Sequence, residues 1–162
     1  MDNVMFSGLV DLVEKHPDKK KLPHSFTTYV DSTLETEYED CVDRLISPAI
    51  VYGPYRSKVS IGAKALWDTG SRSSCISRKL AKELELPETG RKTVLTPTGS
   101  IEVPTHRVDL VLWDELSFSD LEVTEYPLER HDCDILIGMD IISRGKLTID
   151  STSGKTKISF TV

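Results

Sequence analysis

Residues 66–77 read LWDTGSRSSCIS. Two apolar residues run into Asp68-Thr69-Gly70, and a small polar cluster follows. An Asp followed two positions later by Gly is a common turn, so the tripeptide alone leaves two readings open. Asp68 is either a turn residue between strands or a carboxylate presented for chemistry. The flanks favour chemistry. Lys64–Trp67 feeds a strand into the motif, and Ser71 is small enough for another backbone to approach. Ile76 then returns to the core. A carboxylate in such a loop is fixed in place without being covered.

Working outward, residues 134–142 read DILIGMDII. Asp134–Ile137 forms a short buried strand, and Gly138 lets the chain turn where a side chain would collide. Met139–Ser143 is a short helix ended by Gly145. Between the two motifs, Lys92–Leu95 and Ile101–Leu112 flank Thr96-Pro97-Thr98-Gly99-Ser100, a hairpin signal. Val108, Leu110 and Leu112 alternate as in a half-buried strand. Ser77 caps a helix over 78–85, which Pro87 ends. Ala49–Ile61 is strand-like, with a break at Gly53-Pro54 and a turn at Gly62-Ala63. Phe118–Val123 is a further strand. Leu147–Asp150 and Thr156–Thr161 make a terminal hairpin around Ser153-Gly154.

Residues 1–46 differ from the rest. Met5, Leu9, Leu12 and Val13 lie at helical spacing, and HPDKKKLPH (16–24) is a linker. Ser32–Glu35 has the form of a capping box. Behind it Leu34, Tyr38, Cys41, Val42 and Leu45 make one helical face, stopped at Ser47-Pro48. The expected organisation is a helical extension over 1–46 and a mostly-β domain over 47–162.

The chain has 162 residues, 38% hydrophobic but only 7% aromatic, so the core rests on Ile, Leu and Val. The net charge of −6 disfavours nucleic acid and anionic membranes as partners. Cys41, Cys75 and Cys133 are an odd set without a CxxC pair, which argues against a disulfide framework or a four-Cys zinc site. No run approaches the roughly 18 apolar residues of a membrane span. The acidic start is not a secretory signal. These features fit a soluble, cytoplasmic protein. The starting Met and the short tail after the last strand fit a free-standing product better than a piece of a mobile-element polyprotein.

Together LWDTGS (66–71), the 92–112 hairpin and DILIGMDII (134–142) resemble the retropepsin-like aspartic proteases. The Met-Asp after Gly138 is closest to the retrotransposon-type form, and order and spacing agree over 49–162. The resemblance implies a closed β-barrel with a flap hairpin and an endopeptidase without metal or other cofactor. It implies Asp68 as the catalytic residue, and, since the chain has one such motif, a homodimer that pairs Asp68 with its symmetry mate. Thr69 would brace the two loops across the axis, Gly70 would admit the substrate backbone, and Ser71 and Gly138 would support the loop. Thr98, Gly99 and Ser100 would form the flap tip over a peptide or protein substrate. Acidic pH, where the pair holds a single proton, would favour activity.

Two positions depart from the retroviral pattern: Arg72 stands where an acid is usual, and Met139 where an Arg is usual. Arg72 is expected to pair with Asp140 instead. A rival reading is a binding or dimerisation module that keeps the fold with little hydrolysis. Cys75 has no His placed to activate it as a nucleophile. His131–Asp134 is read as a polar loop, because metal ligands need spaced partners. Trp67 is read as packing, and His106 and Arg107 as solvent-facing residues of the hairpin.

Overall fold

The computed structural model describes residues 33–54, 59–96, 99–113 and 116–162. The helix expected near residues 5–13 and the 16–24 linker lie outside them. In chain order the strands are β1 (Thr33–Glu37), β2 (Ile46–Tyr52), β3 (Ser60–Trp67) and β4 (Cys75–Ser77). After helix α1 (Arg78–Glu83) come β5 (Gly90–Thr96), β6 (Gly99–Trp113), β7 (Leu116–Tyr126) and β8 (Ile135–Ile137). Helix α2 (Met139–Ile142), β9 (Lys146–Asp150) and β10 (Lys157–Thr161) complete the order.

Six strands close into a barrel. The ring runs β2-β3-β8-β4-β7-β6, and β6 returns to β2 through Ile50↔Val111, Val51↔Leu110 and Tyr52↔Asp109. β3 and β8 pair in parallel, as do β4 and β7, while β4 and β8 pair antiparallel. Among the described residues, the backbone of β5 pairs with β6 alone. Along β3 the inward residues Ala63, Ala65 and Trp67 are buried, and the residues between them are less so. That alternation is what a strand with one face on a core requires. The two alanines leave room inside for larger neighbours such as Leu110, Ile135 and Ile137.

A second sheet, ordered β1-β10-β9, lies against the barrel. Leu34, Ile158 and Phe160 are fully buried in the main core, where the Phe160 ring meets Trp67 at 5.0 Å. Trp67 is packing, as expected, and its indole N–H donates to the Ser47 hydroxyl at 2.9 Å.

The structure corrects two expectations. The helix expected behind the capping box is absent over 33–45; Thr33–Glu37 is a strand, paired with Thr161–Lys157. Leu34 and Tyr38 fill the core from that strand and the loop behind it, where the Tyr38 hydroxyl donates to the Ile46 carbonyl at 2.6 Å. Strand pairing with residues 120 to 128 positions away outweighs a local helical pattern. The turn expected at Gly62-Ala63 is also absent. β3 runs straight through it, with Gly62 opposite Ile50. The hairpins 90–113 and 146–161, the helix capped by Ser77 and the short helix after Gly138 form as read.

Candidate active site

β3 carries Asp68 to the site. Trp67 pairs in parallel with Ile137, and the next amide, Asp68 N–H, donates to the Ile137 carbonyl at 3.0 Å. The chain then turns tightly, and Ser71 N–H donates to the Asp68 carbonyl at 3.2 Å. This turn brings two donors back to the Asp68 side chain. Gly70 N–H donates to Oδ1 at 2.8 Å, and the Ser71 hydroxyl donates to Oδ2 at 2.8 Å. Each carboxylate oxygen is thus directed by one bond and keeps further acceptor capacity. Asp68 is half-buried, while Thr69 and Gly70 are exposed. A carboxylate held so firmly and left open to one side can engage a water or a substrate.

The second motif lies directly beneath this loop. Met139 N–H donates to the Ser71 carbonyl at 2.8 Å, and Gly138 N–H donates to the Ser74 hydroxyl at 3.1 Å. A Cβ at Gly138 would lie 2.7 Å from the Ser73 carbonyl carbon, so only glycine lets the two segments meet. The structure therefore brings together Asp68, Gly70, Ser71 and Gly138. Arg72 does not pair with Asp140. Its side chain is exposed, and the Asp140 carboxylate is taken by Ser74, through its N–H at 3.0 Å and its hydroxyl at 2.8 Å. Ser74 lies in direct contact with that carboxylate, so a neutral donor holds the place expected of Arg72. Sequence reading missed Ser74 as a member of the site. Its only signal is a small hydroxyl residue one position before a buried strand.

The hairpin of β5 and β6 is described up to its tip. Thr98 lies outside the described residues. Gly99, at φ +132°, takes a backbone conformation that side-chain-bearing residues rarely adopt, and its carbonyl accepts the Thr96 hydroxyl at 2.8 Å. Ser100 is exposed, as are Leu95 and Ile101 near it. His106 is not solvent-facing: it is 5% exposed, with Nδ1 2.9 Å from the Pro87 carbonyl and Nε2 3.2 Å from the Glu125 carboxylate. Those two partners explain why a polar ring is buried at the hairpin's base. Arg107 is half-exposed and pairs with Asp120 at 3.2 Å.

Cys75 packs with Cys133 and Leu128 in a small second cluster, beside Leu66 and Leu136. Burial pushes its thiol up to about 12, with Cys133, Asp68 and Asp140 adding to the effect. A thiol so reluctant to ionise is a poor nucleophile. In the 131–134 loop, Asp134 accepts Lys64 N–H at 2.9 Å and Asp132 pairs with the Lys64 ammonium at 3.1 Å. Both carboxylates serve the loop's junction with β3.

Residues 59–141 match the model of a family described as aspartyl protease. The chain belongs to the aspartyl protease family. The match spans both motifs and the hairpin between them. Among solved structures, a retropepsin-like aspartic protease from Rickettsia conorii is similar at 14% identity and a TM-score of 0.50. That alignment covers 85% of this chain and 99% of the other, and it shows the retropepsin-like fold. The retroviral protease-like domain of Ddi1 from Leishmania major aligns at 20% identity and a TM-score of 0.42, covering 68% of this chain and 83% of that one. No curated protein matches the sequence.

Proposed function

We propose that the chain is an aspartic endopeptidase that acts as a homodimer, with one Asp68 from each copy at the two-fold axis. The observation that carries this reading is the Asp68 carboxylate itself. It is aimed by Gly70 N–H and the Ser71 hydroxyl, half-exposed, and the only carboxylate of its chain set in an Asp-Thr-Gly turn. One such group cannot be both base and acid. Two of them about 3 Å apart cannot both ionise, so the pair shares one proton. The ionised member takes a proton from water, which attacks the scissile carbonyl. The protonated member polarises that carbonyl, and the proton is later delivered to the departing amine.

In this reading Thr69, exposed at the turn, braces the two loops across the axis, and Gly70 leaves room for the substrate backbone. Thr98, Gly99 and Ser100 form the tip of a flap that covers the peptide. Leu95 and Ile101, exposed beside that tip, lie on opposite faces of the hairpin, so that one of them faces the peptide and suits an apolar substrate side chain.

The test is Asp68→Asn in the full chain. Peptide cleavage is expected to fall by roughly a thousandfold or more, with the dimer and its melting temperature retained. Cleavage that survives the substitution sinks the mechanism. A wild-type chain that binds peptides without cutting them favours the binding-module reading instead.

A further inference from the structure

We propose that Asp140 is a positioning residue for the Asp68 carboxylate, acting through Ser74. Its kinetic consequence rests on the protease reading above; its geometry does not. Asp140 lies in the first turn of α2, yet its side chain reaches across to the loop that follows Asp68. Oδ2 accepts Ser74 N–H at 3.0 Å. Oδ1 accepts the Ser74 hydroxyl at 2.8 Å and Ile141 N–H at 3.1 Å.

Ser74 is fully buried, and its hydroxyl oxygen accepts Gly138 N–H at 3.1 Å. A hydroxyl has a single proton to give. With that proton committed to Asp140, its lone pairs are turned toward Gly138. The carboxylate therefore sets the direction of a chain of donors that runs Gly138 N–H, Ser74 O–H, Asp140. Bonds to an ionised acceptor are shorter and stronger than neutral ones, and linked bonds polarise one another.

The consequence is a loop fastened along its whole length. Asp68 N–H is tied to Ile137, the Ser71 carbonyl to Met139, and Ser74 to Gly138 and Asp140. Gly70 and Ser71, which aim the Asp68 carboxylate, lie inside that span. Without Asp140 the far end of the loop keeps the bond from Thr124 N–H to the Ser74 carbonyl and the pairing of Cys75 with β7 and β8, but two buried donors of Ser74 lose their acceptor. Neither neighbouring cation competes with Ser74 for this carboxylate. Arg72 is exposed, and Arg144 Nε donates to the Asp140 backbone carbonyl at 2.8 Å.

The experiment compares Asp140→Ala, Asp140→Asn and Asp68→Asn in the full chain, with a peptide substrate. A misplacement of about 1 Å costs on the order of 100-fold in rate, so Asp140→Ala is expected to lower kcat by that factor. KM should stay within about twofold, because the effect is on the reacting group and not on peptide binding. Asp140→Asn should lose less, since its amide oxygen still accepts the Ser74 hydroxyl. Affinity for a peptide analogue with a tetrahedral hydroxyl at the scissile position should fall in step with kcat/KM. If Asp140→Ala does not fold, Ser74→Ala carries the test, with a loss of about 10-fold in kcat expected.

Hydrogen exchange supplies a readout that needs no substrate. The amides of Asp68, Gly138 and Met139 should lose protection in Asp140→Ala while those of β6 and β7 keep theirs. An unchanged kcat in a folded variant, a loss confined to KM, or unchanged exchange at those amides overturns the proposal. A wild-type chain that cleaves nothing refutes the protease reading alone, and exchange then decides the role of Asp140.

Discussion

At the scale of single residues, the site depends on which groups keep their protons and which give them up. Cys75 and Cys133 are buried and keep theirs. Burial holds the Cys75 thiol up at about 12 and the Cys133 thiol up at about 11, against an ordinary value of 9.0. In the unfolded chain both thiols ionise above pH 9, while in the folded chain they do not. Unfolding therefore releases protons in that window. The stability these thiols contribute is complete below pH 9 and is lost as pH rises toward 12. For Cys75 the loss is on the order of 2 kcal/mol at about pH 10.5. Denaturant midpoints at neutral and alkaline pH, with Cys75→Ala beside wild type, check it: the variant should show a shallower decline. At pH 8 a thiol reagent should modify the exposed Cys41 and spare the buried pair. The turn that holds Asp68 was legible in the sequence, because a motif and its flanks are adjacent residues. The partner of Asp140 was not. Opposite charge pointed to Arg72, whereas packing supplied Ser74, 66 residues away. His106 was misread for the same reason, since its burial depends on Glu125 and Pro87, which no local pattern brings near.

At the scale of elements, the readings that succeeded were those whose signals are local. Ser77 caps α1 by accepting Leu80 N–H at 3.1 Å, and the two hairpins pair on either side of the stretches read as their turns. β1 failed because Leu34, Tyr38, Cys41, Val42 and Leu45 also satisfy a helical period. Only the distant β10 decides between the two. The assignment has a sharp consequence. As a strand residue with no exposed surface, Leu34 should be costly to truncate, by roughly 2–4 kcal/mol for Leu34→Ala. On a peripheral interaction helix the same change would cost little. Chemical denaturation of that variant distinguishes the two, and a loss below about 0.5 kcal/mol would remove β1 from the core. Gly62 shows the converse error. Glycine punctuates turns, but opposite Ile50 it simply occupies an exposed strand position.

At the scale of the whole molecule, a closed ring with one Asp-Thr-Gly carboxylate is, on the proposed mechanism, chemically half of something. If two copies complete the site, activity follows the number of dimers with both Asp68 residues intact. Equal amounts of wild type and Asp68→Asn, mixed and allowed to exchange, should retain about one quarter of the wild-type activity per dimer, because only that fraction pairs two intact copies. Retention of one half would show that each copy works alone. The closure of the barrel has a further consequence for how such a protein can change. Among the described residues the backbone of β5 pairs with β6 alone, whereas β3, β4 and β8, which carry or flank both motifs, are links of the ring itself. Lengthening or shortening the hairpin tip leaves every closing pair in place. The same insertion in β8 would open the barrel at the carboxylate. The domain is thus divided into a part that tolerates variation and a part that does not, and selection can retune what the hairpin touches while the machinery below is inherited intact.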